Sequence, residues 1–334
     1  MPDIYRADHV GSLLRPTEVK EARSAYQGGR MELSEVTAVE DRAILRVLER
    51  QKDVGMTVFT DGEFRRTVFQ NDLVESVDGF VETSSPAVVR IWQGPGEQPT
   101  EPGMRHVVGA KLRQPGITDP FYSSRSDLLW EIAEIIRSEI AALAESGVQY
   151  IQMDAPRYSY YVDPRWRQHL RDLGEDPDQM FEEAVAADNH CLEGAQREGI
   201  VVAFHVCRGN NQSKWYAEGG YEAIAELLFG SLKVDRFLLE YDTERSGTFD
   251  PLRFTPSDKV VVLGLISSKE AELESSDKLL RRIEEASAFV PLERLAISPQ
   301  CGFASTAPGN LMTEDQQWRK LEMVAEVARQ VWGN

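Results

Sequence analysis

Cysteine is scarce in this chain, with 3 in 334 residues, too few for a disulfide framework in a protein of this size. Positive charge is scarce as well. Lys and Arg total 37 against 55 Asp and Glu, a formal net charge of −18, and nucleic-acid binding leans on dense cationic patches, so no nucleic-acid partner is expected. No stretch approaches the ~20 consecutive apolar residues that span a bilayer, so no membrane partner is expected either. The first residues, Met1-Pro2-Asp3-Ile4-Tyr5-Arg6, lack the charged start, apolar run and small-residue cleavage site of an export signal. The expected compartment is the cytoplasm, where thiols stay reduced and free to bind metal. With 42% hydrophobic and 28% charged residues, the chain reads as an ordinary globular protein, and its composition sets no oligomeric state.

Apolar runs of strand length alternate with helical stretches, the pattern of parallel βα units. Strands are expected at 4–10, 57–61, 149–154, 200–206, 235–240, 259–265 and 294–299. Helices are expected at 16–28, 34–54, 125–146, 178–198, 218–230, 269–288 and 313–331. Thr313 with Gln316 forms a capping-box signature, and Gly199 suits a helix end. Between Ala87–Trp92 and His106–Leu112, both β-like, lies the turn-rich Gly94-Pro95-Gly96-Glu97-Gln98-Pro99, read as a projecting β-hairpin insertion near 86–112. An open doubly wound sheet shows the same alternation. What favours an α/β TIM (β/α)8 barrel, one domain over 1–334, is that polar residues collect just after strands, where a barrel builds its active site. These are Val10-Gly11-Ser12, Asp61-Gly62-Glu63, Asp154, His205, Cys207, Glu240, Ser267-Ser268 and Cys301.

His205 and Cys207 close the run Ile200-Val201-Val202-Ala203-Phe204, and Cys301 follows Leu295-Ala296-Ile297-Ser298-Pro299. Alternate residues on a strand share a face, so a His-x-Cys pair leaving one strand end aims both donors at one point, and a thiolate from another strand end adds a third. Two thiolates and an imidazole suit Zn2+, and three protein ligands leave the fourth position open, as in catalytic zinc sites. A thiol placed there loses its proton near neutrality. Glu240 is expected as a fourth, displaceable ligand; its plainer reading is a carboxylate paired with Arg236 or Arg245. Cys191 lies within a helix and reads as core.

Other polar and aromatic residues fall near these strand ends. His9, able to hold or release a proton near neutrality, is a candidate proton donor or a core histidine. Tyr158, Tyr160 and Tyr161, with Trp166, read as an aromatic loop over a pocket, with Tyr158 and Tyr160 as substrate contacts. Arg208, Asn210 and Asn211 follow the His-x-Cys pair and are candidates for binding polar substrate groups. Proton transfer to a leaving group falls to His9, Glu63 or Asp154.

His205-Val206-Cys207, Glu240 and Pro299-Gln300-Cys301-Gly302 resemble the zinc signature of cobalamin-independent methionine synthase. Val10-Gly11-Ser12, Gly62-Glu63 and Ile151-Gln152-Met153-Asp154 extend the likeness over nearly all of the chain, to the C-terminal catalytic barrel of that two-barrel enzyme. The resemblance implies a zinc-binding TIM barrel that moves a methyl group from a methylated folate to the thiol of homocysteine, giving methionine. It also implies that Val10, Gly11, Ser12, Glu63 and Asp154 hold the amino and carboxylate groups of the amino-acid thiol. A carboxylate pair suits an ammonium, and a Gly-Ser turn suits a carboxylate. The chain departs from the long enzymes at Ala155-Pro156, where they carry Glu-Pro, and in lacking their Gly-Pro-x-Thr segment in 107–123. In its Pro-Gln-Cys-Gly-Phe segment it is similar to a shorter single-barrel branch of the superfamily that includes uroporphyrinogen decarboxylase-like barrels. That branch also resembles enzymes joining a thiol such as coenzyme M to an epoxide, the alternative activity; a barrel with a structural, non-catalytic zinc is the remaining alternative. The expected partners are therefore a small-molecule thiol and an alkyl donor.

Overall fold

The computed structural model describes residues 4–333 except 69–75, 84–90, 95, 96, 98–104, 114–121, 123 and 196–198. Its centre is a five-stranded parallel sheet in chain order: β3 (Tyr150–Asp154), β4 (Val201–Val206), β5 (Arg236–Glu240), β6 (Val260–Ile266) and β7 (Leu295–Pro299). Each strand lies within a residue or so of its expected position, because strands buried on both faces read as continuous apolar runs. β1 (Asp78–Thr83) and β2 (Arg105–Arg113) form a separate antiparallel pair.

The two faces of the sheet are told apart by alternation. Val202, Phe204 and Val206 belong to the main core together with residues of the flanking helices, whereas Ala203, Leu238, Val262, Ala296 and Val10 form a second, smaller cluster on the opposite, inner face. The register continues that inner face upward, since Asp154 pairs with His205 and His205 with Leu238. His205 and Cys207 therefore follow Ala203 on one face, and Glu240 follows Leu238.

Of the first two expected strands, 4–10 is present as an irregular segment with a single bridge, whereas 57–61 is not a strand and is tied to residue 7 by a backbone hydrogen bond. Ala7 bridges Ile297 in parallel, the Asp8 N–H donates to Ile297 O at 3.0 Å, and the Thr57 N–H donates to Ala7 O at 3.2 Å. Parallel pairing thus runs on from β7 to residues 6–8, and a backbone hydrogen bond links residue 57 to residue 7. Across the inner face Gln152 Nε2 donates to Val10 O at 3.1 Å.

Helices Thr17–Gln27, Leu33–Val54, Arg125–Glu145 and Glu314–Trp332 agree closely with expectation. Thr313 and Gln316 make the anticipated capping box. Several expectations need correction. The hairpin strand over 106–112 pairs with Asp78–Thr83; of the run expected beside it, Ala87–Trp92, residues 87–90 lie outside the described residues. The helix expected over 218–230 is a 3-10 turn, Tyr221–Ala223, followed by the short helix Ala225–Ser231, and the one expected over 269–288 starts only at Ser276, with Ser275 as its N-cap. The aromatic loop after β3 is helical, Ser159–Val162 and Pro164–Asp172. Asp163 caps the second of these from a position before Pro164, the residue type suited to a first helical turn. Among the described residues no helix is long and apolar enough to cross a membrane.

Candidate metal centre and its surrounding rim

At the C-terminal ends of β4 and β7, His205, Cys207 and Cys301 are all buried, and their ligand atoms lie within 4.8 Å of one another. His205 is oriented by its Nδ1, 3.1 Å from Leu238 O. With Nδ1 carrying a proton toward that carbonyl, Nε2 is the ring nitrogen left to face a ligand, and it is buried with no hydrogen-bond partner. A buried ring nitrogen without a partner is costly, and a cation that takes the place of its proton removes the cost.

The electrostatics agree. Burial lowers the proton affinity of His205, but Asp154 and Cys207 outweigh it and raise the pKa to about 9. A hydrogen bond with Cys301 and burial push the Cys207 thiol well above its usual range. Without a metal His205 and Cys207 therefore hold their protons near neutrality, and a soft dication would displace them. Donor type, spacing and the free Nε2 all fit zinc with one position left over.

Glu240 is not in this group. Its Oε1 accepts from Arg245 Nη2 at 2.6 Å and Nε at 3.1 Å, and its Oε2 accepts the Arg208 N–H at 2.8 Å. Burial alone would raise its pKa, but the charges of Arg245, Lys269 and Arg208 outweigh burial and hold it at about 2. The plainer of the two sequence readings, pairing with Arg245, is the arrangement observed; Arg236 instead sits 3.5 Å from Asp8.

Ser12 reaches the metal rim because residue 302 is glycine: a Cβ there would sit 1.9 Å from Ser12 Oγ. Ser12 Oγ accepts the Ala304 N–H at 3.3 Å and keeps its own proton to donate. Glu63 has a left-handed backbone, φ 58, held by Asp61 Oδ1, which accepts its N–H at 2.8 Å, and by Arg15, which binds its carbonyl at 3.0 Å. Such strain, on the order of 1 kcal/mol, persists where the surroundings fix it, commonly at functional sites. Its carboxylate is mostly buried, and Oε2 has no partner. Burial raises the Glu63 pKa, Arg66 opposes the rise and Asp154 adds to it, leaving it at about 7. Burial raises Asp154 too, with His205 opposing, although its side chain touches solvent, as befits a group lining a cleft. Val10 and Gly11 lie beside these groups: Val10 in the inner apolar layer, and Gly11 at φ 114, where a Cβ would be 3.5 Å from Glu63 Oε1.

Two expected site residues point elsewhere. His9 is buried with Nε2 3.1 Å from Val58 O, and burial lowers its pKa to about 4 against the raising effects of Val58 and Gln51. Neutral and already bonded, it ties residue 9 to residue 58 and is a poor proton donor. Tyr158 turns to the outer face, its hydroxyl donating to Asp188 Oδ2 at 2.5 Å and its ring packing on Phe181 and Phe204. Tyr160 instead joins Trp92, Trp166, Tyr216 and Ala217 in an aromatic cluster. Arg208 is committed to Gly219 O through Nε and Nη2 and stacks on Tyr221. Asn210 Nδ2 donates to Gly302 O at 2.7 Å, while its Oδ1 is buried without a partner.

Lys269 escaped the sequence reading. It follows the Ser267-Ser268 pair beyond β6, is 4% exposed, and its Nζ has no hydrogen-bond partner among the described residues. Its charge acts on Glu240 and Asp242. Its loop is fixed to the residue before Cys301 by the Ser268 N–H, which donates to Gln300 Oε1 at 2.9 Å. The hint in the sequence is a lysine three residues past the end of an apolar strand, behind two serines.

Comparison with known proteins follows the same lines. The family model described as "Cobalamin-independent synthase, Catalytic domain" matches residues 115–329. The uncharacterized protein YxjH of Bacillus subtilis is 38% identical over 359 residues, covering 98% of this chain and 95% of its own. The 5-methyltetrahydropteroyltriglutamate–homocysteine methyltransferase of Bacillus licheniformis is 23% identical over 97% of this chain but only 42% of its own length. Among solved structures, a putative vitamin-B12 independent methionine synthase from Listeria monocytogenes superposes with TM-score 0.73 at 33% identity, over 100% of both chains.

Proposed function

The chain belongs to the cobalamin-independent synthase catalytic-domain family, and we propose that it is a zinc-dependent S-methyltransferase acting on a small amino-acid thiol, homocysteine first among them. The observation that carries this reading is the convergence of His205, Cys207 and Cys301 with a buried, unpartnered Nε2. His205 Nε2 and the two sulfurs would hold the zinc. When bound, zinc makes a thiol in its open position a thiolate near neutrality while leaving the sulfur nucleophilic. A closed (β/α)8 barrel forming one catalytic domain over 1–334 is part of the same proposal; the parallel pairing of residues 6–8 with β7 supports it.

In this reading Glu63 and Asp154, two carboxylates close enough for Asp154 to raise the proton affinity of Glu63, receive the ammonium of the substrate. The Ser12 hydroxyl, beside Gly302, donates to the substrate carboxylate, with Val10 and Gly11 shaping that wall. Orientation by these groups converts a bimolecular encounter into a near-attack arrangement. Transfer breaks the bond from the methyl carbon to its leaving atom, forms the S–CH3 bond, and requires a proton on the leaving atom. His9 is bonded to Val58; Lys269, a buried cation with donors to spare, is the better source. Tyr160 and its aromatic neighbours offer flat surface for a methylated folate as co-substrate.

The experiment is a product assay on the zinc-reconstituted protein. Methyltetrahydrofolate, a methylated corrinoid and a small epoxide are each offered with homocysteine and with simple thiols. Methionine formed from homocysteine and a methyl donor supports the proposal. A hydroxyalkyl thioether from the epoxide, with no methyl transfer, would instead establish the epoxide-opening alternative.

A further inference from the structure

Glu63 and Cys301 stand on different loops, and one buried side chain joins the two. Arg15, three residues after Ser12, is 2% exposed. Its Nη2 donates to Glu63 O at 3.0 Å and Arg66 O at 2.6 Å, and its Nη1 to Ala304 O at 3.0 Å and Thr306 O at 3.4 Å. The first two carbonyls belong to the turn that carries Glu63, which is closed by the Arg66 N–H on Glu63 O at 3.1 Å. The other two belong to the loop that follows Cys301. Burial lowers the Arg15 pKa to about 10, so it remains a cation at neutrality. The planar fork of a guanidinium can serve carbonyls on two sides at once, which a compact ammonium cannot.

We propose that Arg15 is a positioning residue for the substrate's ammonium: its fork holds the Glu63 turn against the Cys301 loop and so fixes the Glu63 carboxylate relative to the metal position. The inference rests on the reading in which Glu63 receives that ammonium. Glu63 is one of three non-glycine residues with a left-handed backbone among those described, and such a residue relaxes to an ordinary φ, turning its side chain, once its restraints loosen. Before the residue, Asp61 holds its N–H and the Leu13 N–H donates to Gly62 O at 3.0 Å. After it, the Arg66 N–H moves with the turn, and Arg15 is the restraint that comes from outside. Further on, the Ala307 N–H donates to Thr67 O at 2.8 Å and Val68 bridges Thr306, so the segment keeps its course without the fork. Ser12 does not need it either, because the Phe303 N–H donates to Ser12 O at 2.8 Å. Loss of Arg15 therefore acts on the amino end of the substrate and spares the carboxylate end.

The test titrates the zinc-reconstituted full chain by calorimetry with homocysteine and with its desamino analogue, the same thiol acid without the amine. Wild type should prefer homocysteine. Arg15→Lys keeps the charge but not the fork, and Arg15→Met keeps neither. Both should hold zinc as wild type does and bind homocysteine about tenfold more weakly, the scale of one lost charge-assisted hydrogen bond, with affinity for the desamino analogue unchanged. In a Glu63→Gln background, Arg15→Met should weaken homocysteine no further. Burial sets the Glu63 pKa high, and Arg66 and Arg15 are the cations that oppose it. Arg15→Met should therefore move the climb of homocysteine affinity to higher pH, and Arg15→Lys should leave it in place. An equal loss for both thiols, wild-type homocysteine affinity in a folded Arg15→Lys, or failure of both variants to fold overturns the inference alone. A wild-type protein that binds zinc but does not distinguish the two thiols overturns the assignment of Glu63 to the ammonium, on which the inference rests.

Discussion

At the N-terminal end of the inner sheet face, Asp8, Tyr150 and Arg236 close their polar groups on one another. Tyr150 donates to Asp8 Oδ2 at 2.6 Å, Arg236 stands 3.5 Å from Asp8, and its Nη2 reaches Tyr5 O at 2.5 Å. At the C-terminal end of the same face, some of the groups are left wanting: His205 Nε2, Glu63 Oε2, Asn210 Oδ1, Lys269 Nζ and Gln300 Nε2 are buried without hydrogen-bond partners. Both ends are built from buried polar residues on the same strands or on the loops that follow them. Desolvated groups that find partners within the chain hold a fold together, and those that do not are held ready for something the chain does not itself provide.

The contrast can be broken first at the metal group. Cys301→Ser should reduce bound zinc from one equivalent to near none and methyl transfer by at least about a thousandfold, checked by metal analysis and initial rates on the same sample. Lys269→Met comes next. With zinc content unchanged, kcat should fall on the order of a hundredfold, read from initial rates on the zinc-loaded protein; a kcat that stays at the wild-type level would place Lys269 with the structural end.

Glu63 sharpens the comparison through pH. Its pKa is raised to about 7, so below that pH it carries its proton and offers no charge to an ammonium, and above it the carboxylate is available. Homocysteine affinity should therefore climb as pH rises through about 7, approaching tenfold per unit on the acid side if binding requires the ionised form. Glu63→Gln should flatten that climb at the weak, low-pH level; a slope that survives the substitution assigns the titration elsewhere. The smallest effect is expected at the opposite end. Tyr150→Phe should cost about 1 kcal/mol of stability, read as a small drop in denaturant midpoint, with zinc content and kcat unchanged.

How much of this was legible follows from which interactions are local. β3 to β7 could be placed from the chain alone because double burial makes each an unbroken apolar run, and the His205–Cys207 pair followed because alternation on a strand is a local rule. The roles of His9 and Tyr158 were not local. What turns His9 away from chemistry is the carbonyl of Val58, and what turns Tyr158 outward is Asp188, partners that only the folded chain supplies. The β1 strand escaped the sequence for a similar reason: pairing of β2 with Asp78–Thr83 is a choice among β-like segments that turn residues alone do not make. Lys269 went unnoticed because a lysine after a strand ordinarily points to water, and its burial comes from the packing of its loop.

The central claim is that two sulfurs and one imidazole nitrogen share a zinc ion whose remaining position accepts the substrate thiol. Zinc K-edge X-ray absorption on the reconstituted protein, before and after homocysteine, tests it most directly. The account predicts two sulfurs at about 2.3 Å with lighter ligands before addition and a third sulfur replacing one light ligand afterwards. A shell that stays the same when homocysteine is added would contradict it.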